Sequence, residues 1–557
     1  MIQLLFILLL VPLGAGGLLL LFSGVSQQRS ARWIALAGSL VALALSLQMA
    51  SEYRTLQAEQ GVSANDSPIA PRVEYRRTWE IIGDTSTPEK AADAIKMEFH
   101  FGLDGVSVVM IVLTTLLSVV CVLCSWEAIT ERESEFYAAL LILQSGVIGV
   151  FCAFDVVLFY VFFEFTLIPL FFLIAIWGGP QRRYAAVKFF LYTLAGSLVT
   201  LLGLITLVTY AAQGGLTSPC SLPELAAWYR DNRTMPFELE VAIFLALSAG
   251  FLIKVPVFPF HTWLPLAHVE APTAGSILLA GVLLKLGTYG FLRFCLPMLP
   301  DACLTVGMPA MAILSVVGIV YGSLCALIQR DVKKLVAYSS VAHLGFCMLG
   351  LFALNIEGIT GGILQMINHG LSTGALFLIV GMFYERYHTR MMDDLGGLAN
   401  RLPLMAAGMV FISMASIGLP GLNGFPGEML SLAGMFKRNP WYAAAGATGL
   451  VLGAWYLLTM LQLVFFGPLK EPAVHGDGHG HGDHGDHHPI RDISFRELAA
   501  LVPLAAACLW IGVKPQPLID VIRPDVEAVA KLYEGRVPVA RESLAVAEVK
   551  SRTRQEQ

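Results

Sequence analysis

The chain has 557 residues, of which 56% are hydrophobic and only 14% are charged. Soluble globular proteins carry about a quarter charged residues, so the composition excludes an ordinary soluble protein and predicts one that crosses a membrane many times. The net charge of -5 gives no indication of a nucleic-acid partner. The 9 cysteines are scattered without metal-ligand or disulfide spacing, which is typical of small buried side chains.

Apolar segments of about 20 residues, long enough to cross a bilayer, recur along the whole sequence. The first has no basic start and no cleavage motif, so we expect a retained helix rather than a signal peptide. The pattern predicts an all-α polytopic membrane protein with about fourteen transmembrane helices. In chain order the predicted spans are 2–23, 31–50, 105–126, 136–153, 155–177, 186–212, 239–256, 273–296, 305–328, 332–354, 359–384, 403–425, 441–466 and 497–513.

Spans and polar segments together predict the organisation of the chain. The regions are transmembrane helices 1 and 2 (1–50), an outer polar loop (51–104), helix 3 (105–126), a first five-helix repeat (136–296), a second five-helix repeat (305–466), a His-rich cytoplasmic loop (468–496), the last transmembrane helix (497–513), and a surface helix with a tail (514–557). Alternation in "VEYRRTWEIIG" and "IKMEFHFGLDG" predicts a short hairpin within the outer loop. The histidines of 475–488 lie in a Gly/Asp/His-rich tract, which is typical of a solvated loop; loose binding of a transition metal is the alternative.

Lysines and arginines concentrate in the loops that fall on one side of the membrane if the spans are counted in this way. They are Arg29, Arg32, Arg182, Arg183, Lys188, Arg330, Lys333, Lys334, Arg386, Arg390 and Arg401. The loops near 153–155 and 355–358, on the other side, have neither residue type. Short cytoplasmic loops carry the excess of basic residues, so the sequence predicts an N terminus on the outer side.

Two hydrophobic segments are interrupted by proline and glycine, and each has an ionisable residue at the interruption. The first reads "FLIKVPVFPFHTWLPLAHVEAPTAG" and has Lys254 just before Pro256; the second reads "SIGLPGLNGFPGEMLSLAGMF" and has Glu428. Proline breaks a helix, and a break inside a bilayer is tolerated only where the backbone faces protein or water. Paired interruptions indicate inverted repeats and mark the binding site of transporters. The interruptions fall in the seventh and twelfth spans, five spans apart. This offset predicts two five-helix repeats, spans 4–8 and 9–13.

Further titratable residues lie inside apolar segments: Glu164, Lys285, His343 and His369. A charged side chain at the centre of a span costs about 2.5–3.5 kcal/mol on insertion scales, so such residues usually have a function. The pattern favours a path that carries protons. The alternatives are a structural glutamate or neutral histidines bonded to a neighbouring helix, and, for Lys254, a side chain that reaches the interface.

A long motif resembles a known family. The run "KVPVFPFHTWLPLAHVEAPTAGSILLAGVLLKLGTYGFLR" is similar to the signature of the antiporter-like proton-pumping subunits of respiratory NADH:quinone oxidoreductase (complex I). The same superfamily includes multisubunit cation/proton antiporters and membrane-bound hydrogenases. The resemblance extends from the first span to the fourteenth. Glu428 favours one particular member among the complex I subunits, because its sister subunits and the antiporters generally have lysine there.

The resemblance implies a proton path through seven positions. They are Glu164 and Lys254 as the ion pair of a first half-channel, Lys285 as the central relay, His343 and His369 as its continuation, Glu428 as the terminal group near the outer side, and His261 at the cytoplasmic inlet. The outer loop and the C-terminal helix would tie neighbouring subunits together. The His-rich tract is a departure from the family pattern.

The resemblance also implies the chemistry that this chain leaves to others. NADH, FMN, iron–sulfur clusters and quinone would all be bound by partner subunits, and no cofactor or metal by this chain. Its partners would be the lipid bilayer and antiporter-like membrane subunits on both sides, in a bacterial inner membrane. Two alternatives remain: a subunit of a multisubunit Na⁺/H⁺ antiporter, and the equivalent subunit of a membrane-bound hydrogenase or another quinone reductase.

Overall fold

The computed structural model describes residues 1–21, 28–60, 67–82, 95–472 and 491–536. These residues form helices joined by short loops, with one two-stranded sheet. The helices are α1 (Ile2–Leu21), α2 (Gln28–Gln60), α3 (Gly105–Cys124), α4 (Glu133–Cys152), α5 (Val156–Trp177), α6 (Arg182–Gln213), α7 (Leu222–Asp231), α8 (Phe237–Lys254), α9 (Leu264–Glu270), α10 (Thr273–Met298), α11 (Pro300–Leu327), α12 (Val332–Leu351), α13 (Ile356–Tyr387), α14 (Pro403–Ile417), α15 (Gly424–Arg438), α16 (Pro440–Val464), α17 (Phe495–Val513) and α18 (Gln516–Ala530).

Within the described residues, 12 of these helices are long and apolar enough to cross a membrane. They are all of them except α7, α8, α9, α14, α15 and α18. The predicted all-α polytopic fold is therefore confirmed, while the count of fourteen spans and the two repeats remain predictions.

Two predicted spans, 239–256 and 403–425, have no counterpart among these 12 helices. They are the two interrupted segments. α8 has suitable length, but it holds Glu238, Glu240 and Lys254. The segment 403–425, which the sequence predicts as the interrupted twelfth span, is divided in the structure. Its helix α14 ends at Ile417, and α15 begins only at Gly424. Gly418 adopts a φ of 81°, a conformation that ends helices.

Successive spans run in opposite directions, so their connections lie at two ends of the bundle. One end holds β1 (Val73–Ile82), β2 (Ile95–Leu103), α7 and α18, and we call it the hairpin end. The strands pair antiparallel, with Val73 opposite Leu103, as the sequence predicts. The connections before α6, α12 and α14 lie at the other end, which we call the basic-loop end.

Some boundaries differ from the predicted ones. Helix α2 continues to Gln60, because its last turns, "SEYRTLQAEQ", are polar but contain good helix formers. The outer loop is correspondingly shorter. Helix α18 coincides with the predicted surface helix, and Leu518, Ile522 and Val526 on one of its faces are buried. The His-rich tract at 475–488 lies outside the described residues.

Helices α10 and α13 lie at the centre of the bundle. Their apolar windows are buried along the whole length, whereas only 39% of the window is buried in α6 and α16. α13 contacts α10, α12 and α15. The centre of the protein is thus built from the helices that contain Lys285, His343, His369 and Glu428.

Candidate proton-transfer site

Lys285 lies at the middle of α10, and its side chain is fully buried. The helix is locally widened into π-helical turns on both sides of it, at Leu279–Leu283 and Phe291–Cys295. Such turns are frequent at functional sites. The Nζ atom donates to the carbonyl oxygen of Ala280, which belongs to the first widened turn. The local backbone therefore supplies a polar partner for an amine inside the membrane.

The second partner of Lys285 is a histidine of the facing helix. Its Nζ lies 2.7 Å from Nδ1 of His369 on α13. The ring of His369 in turn lies near that of His343 on α12, with 5.8 Å between the ring centroids. Nε2 of His369 has no protein partner among the described residues. An amine and an imidazole at hydrogen-bonding distance can exchange a proton, because each binds one near neutral pH when its surroundings adjust its affinity.

Glu428 ends this series of groups. Its Oε1 atom lies 3.0 Å from Nδ1 of His343 and accepts a hydrogen bond of 3.0 Å from Nε2 of Gln365. The hydroxyl of Tyr456 is 3.5 Å from Nε2 of the same histidine. The carboxylate is buried, so these contacts replace the water it has lost.

Glycines at the second break allow Glu428 to reach this position. A Cβ at Gly427 would lie 2.6 Å from Oε1 of Gln365, and one at Gly424 would lie 2.3 Å from the carbonyl oxygen of Ala415. Helix α15 can therefore approach α13 and α14 only because both residues lack a side chain. The Gly/Pro sequence that interrupts the span is also what brings the acid to the buried histidine.

The first break holds Lys254 at the end of α8, and its amine is buried without a hydrogen-bond partner in the described part of the chain. Nζ lies 4.5 Å from the ring centroid of Phe163. The carbonyl oxygen of Ile253, near the break, accepts from the indole of Trp263 at 3.0 Å. Glu164 on α5 is half-buried and close enough to attract Lys254 electrostatically. No hydrogen bond joins the two side chains among the described residues. The predicted ion pair is therefore an electrostatic attraction without direct contact.

His261 lies apart from the other predicted residues. Its ring stacks on Phe258, with centroids 5.7 Å apart, and meets the edge of Tyr321 at 5.2 Å. The ring is buried, and Nδ1 has no partner among the described residues. The structure gives it no direct contact with Lys254 or Lys285 among these residues.

Sequence reasoning did not select His268, which belongs to the same central group. Its ring is fully buried and stacks on Phe377 at 4.6 Å. It is electrostatically coupled to Lys285 and to Lys333. The position of His268 in the quoted motif, close behind His261, was a signal that could have singled it out.

Lys333 lies between the buried groups around Lys285 and the basic-loop end. Its Nζ atom donates to the carbonyl oxygen of Ala271 at 2.6 Å. A cavity of about 230 Å³ lies beside it and is also lined by Glu270, Tyr384 and Arg390. The central titratable groups thus extend from this cavity to Glu428.

These features define a class of protein. A bundle of membrane-spanning helices with two broken segments, and with amines, imidazoles and carboxylates in mutual contact at its centre, is built to move protons or small cations across a membrane. The seven predicted residues are placed in two groups, Glu164 with Lys254 and Lys285 through Glu428, with His261 separate.

Comparison with known proteins narrows the class. Residues 153–453 match the family described as NADH:quinone oxidoreductase/Mrp antiporter, TM. The chain is 40% identical over 545 residues to NADH-quinone oxidoreductase subunit M of Rhodobacter capsulatus, covering 96% of this chain and 97% of that one. It is also 40% identical to NADH-ubiquinone oxidoreductase chain 4 of Prototheca wickerhamii, covering 92% of each.

A solved structure agrees with these relatives. A chain of respiratory complex I from Thermus thermophilus with bound NADH has the same fold, with a TM-score of 0.77 and 28% identity, covering 95% of this chain and 100% of that one. The protein therefore belongs to the NADH:quinone oxidoreductase/Mrp antiporter family, in the group that contains subunit M and chain 4.

Proposed function

We propose that this chain translocates protons as a membrane subunit of an NADH:quinone oxidoreductase. The observation that carries the proposal is the buried series Lys285, His369, His343 and Glu428, whose first and last pairs lie at 2.7 and 3.0 Å. The relatives named subunit M and chain 4, which match nearly the whole chain, support the assignment to this complex rather than to an antiporter.

The proposed mechanism begins at Glu164 and Lys254. A change in a neighbouring subunit alters the attraction between them, which is worth a few kcal/mol at an effective dielectric of about 20. When the carboxylate is withdrawn, the ammonium of Lys254 loses its stabilisation and gives its proton toward Lys285. This first transfer needs intervening water, because no described contact joins the two lysines.

The later steps follow the central contacts. Lys285 passes the proton to Nδ1 of His369, and the proton then moves to His343 by one bridging water or a rotation of the ring. His343 transfers it to Glu428, which releases it. Each group therefore gains and loses one proton per cycle. No electron transfer occurs in this chain; NADH oxidation and quinone reduction, with FMN and iron–sulfur clusters, belong to partner subunits.

Orientation follows from the loop charges. The basic-loop end would face the cytoplasm of a bacterium, and the hairpin end would face the outer side of the inner membrane, together with the N terminus. Protons would then enter from the basic-loop end. Antiporter-like subunits would lie on both sides of this chain within the complex.

The test is Lys285→Met in the assembled complex. We expect NADH-driven acidification of membrane vesicles, measured with a pH-sensitive dye, to fall to a small fraction of the wild-type rate. NADH oxidation with an artificial acceptor that bypasses quinone should stay unchanged, because it needs only the redox subunits. Lys334→Met, at an exposed lysine of the basic-loop end, is the matched control and should pump normally. Normal pumping by Lys285→Met would refute the proposed path.

The purified complex separates the alternative functions. Flavin and several iron–sulfur clusters that co-purify with this chain, together with pumping that stops when a quinone-site blocker is added, support the proposal. Na⁺-dependent proton exchange that is indifferent to the blocker would instead support a multisubunit antiporter. Iron–sulfur clusters without flavin would support a hydrogenase or another quinone reductase.

A further inference from the structure

An arginine near the hairpin end of α10 has no part in the proposed path. Arg293 lies two turns beyond Lys285, about 12 Å along the helix axis, and only 3% of it is exposed. Its Nη1 atom forms an ion pair of 2.5 Å with Oδ2 of Asp104, and Nη2 donates to Oγ of Ser107 at 3.1 Å. The guanidinium also lies over the rings of Phe154 and Tyr289, at 5.1 and 4.7 Å from their centroids.

The guanidinium separates two regions of different character. On its hairpin side is a cavity of about 780 Å³, which Arg293 and Asp104 line together with residues of α18 such as Asp525. On its inner side the hydroxyl of Tyr289 lies 3.2 Å from Oγ of Ser107 and donates to the carbonyl oxygen of Phe151 at 2.9 Å. Polar groups thus extend from the cavity past Arg293 to Tyr289, which lies about one turn of α10 from Lys285.

Asp104 and Asp525 hold this region together. Asp104 caps α3 by accepting from the backbone N–H of Ser107 at 2.9 Å, and Asp525 accepts from that of Val106 at 3.1 Å. A Cβ at Gly105 would lie 2.0 Å from the carbonyl oxygen of Val521, so α18 rests directly on the start of α3. The arginine is therefore fixed in place by a carboxylate that is itself fixed by backbone contacts.

Cationic side chains in membrane pores exclude protons by an electrostatic barrier, and an ion-pair partner makes burial of the charge tolerable. Asp104 offsets part of the charge of Arg293, but the guanidinium keeps its protons and offers only donors, so it also cannot relay a proton. We propose that Arg293 is an electrostatic barrier that prevents protons at the central site from escaping, or entering, through the cavity at the hairpin end. The barrier rests on the proposed function, because a pump that stores a gradient must close every path other than its own.

The test measures passive leak without NADH. The complex is reconstituted into liposomes, a K⁺ diffusion potential is imposed with valinomycin, and proton uptake is followed with an internal pH dye. The double variant Arg293→Gln/Asp104→Asn removes both charges and keeps both side chains polar, and we expect its leak to be several-fold faster than that of the wild type. Asp104→Asn alone keeps the cation and should leak at the wild-type rate.

Each outcome decides the proposal. A leak in the double variant equal to that of the wild type overturns it, and so does a leak in Asp104→Asn as fast as in the double variant, since packing damage would then be the cause. If the double variant does not assemble, Arg293→Gln alone takes its place. A leak several-fold faster than that of Asp104→Asn then supports the barrier, and a leak at the wild-type rate overturns it. The leak is measured without NADH. Its result can therefore be distinguished from the result of the pumping test with Lys285→Met.

Discussion

Nδ1 of His343 and Oε1 of Glu428 lie 3.0 Å apart, although 85 residues separate them in the chain. The histidine comes from α12, which is continuous, and the glutamate from α15, which starts after a break. The break allows a helix end with an acid to enter the centre of the bundle. In the proposed path this contact makes Glu428 the group that receives a proton from the histidine, and the first prediction concerns it.

Glu428→Gln should keep the shape of the site and abolish its acid. We expect the hydrogen bond with Gln365 to be replaced by an amide contact, so that the complex assembles, while the proton has no final acceptor and NADH-driven acidification falls at least tenfold, equivalent to about 1.4 kcal/mol in a barrier. The measurement is the rate of dye quenching per unit of artificial-acceptor activity. Glu357→Gln, at the exposed pair with Lys437, is the control. Unimpaired pumping by Glu428→Gln would remove this residue from the path.

Glu164→Gln tests the attraction across the first break. The amide cannot hold the ammonium of Lys254 by charge, so we expect quinone-linked pumping to fall while NADH oxidation with the artificial acceptor persists. Glu238→Gln, an exposed glutamate near the start of α8, provides the comparison. Pumping at the wild-type level in Glu164→Gln would show that the pair does not drive transfer.

Gly418 is expected to be sensitive for two reasons. Its φ is 81°, and a Cβ there would lie 2.9 Å from Oε2 of Glu428. Alanine should cost about 1–2 kcal/mol for the left-handed backbone alone and should also displace the carboxylate. Gly421 has a φ of 92° with open space around a Cβ, so Gly421→Ala suffers only the backbone strain.

Comparison of the two alanine variants isolates the effect on the acid. Both should lower the temperature at which the purified complex loses this subunit, and only Gly418→Ala should lower the ratio of proton pumping to NADH oxidation. Equal pumping ratios in the two variants would contradict the inferred contact with Glu428.

The hairpin is expected to loosen in acid because of His100. Burial lowers the pKa of its imidazole, although Glu74, whose Oε2 is 2.9 Å from Nε2, opposes this effect. A histidine whose pKa is lower in the folded state binds its proton more readily when unfolded, so its stabilising effect is lost as the pH falls below its ordinary pKa of about 6.5. Amide hydrogen exchange of β2 in the complex should therefore accelerate between pH 7.5 and 5, after correction for the intrinsic rate. His100→Gln should remove this pH dependence; an unchanged dependence would exclude the histidine as its cause.

Much of the fold could be read from the sequence because the bilayer permits so few solutions. Twenty apolar residues must form a helix when no water is present to satisfy the backbone, so the spans were predictable one by one. Prolines and glycines predict the interruption in 403–425, but the exact end of the helix depends on the left-handed conformation of Gly418, which hydropathy does not register.

The candidate site was only partly predictable. Lys285, His343, His369 and Glu428 stood out because a titratable group in an apolar segment is costly and is kept for a reason. Gln365 and Tyr456 did not stand out, since an amide or a phenol in a span is common, and their importance follows from which helix they face. His268 lies in the quoted motif, but the motif alone assigned no role to this histidine.

Composition, segment length and proline positions are local properties, and they are enough to establish a multi-span membrane protein with titratable groups at two helix breaks. Which of these groups meet depends on how the helices pack. Lys285 reaches His369 across 84 residues, and Arg293 reaches Asp104 from a helix far along the chain. Such contacts depend on the rotation and close approach of whole helices, which in turn depend on glycines such as Gly427 and on the packing of α10 against α13. Spacing within a single segment contains no information on them.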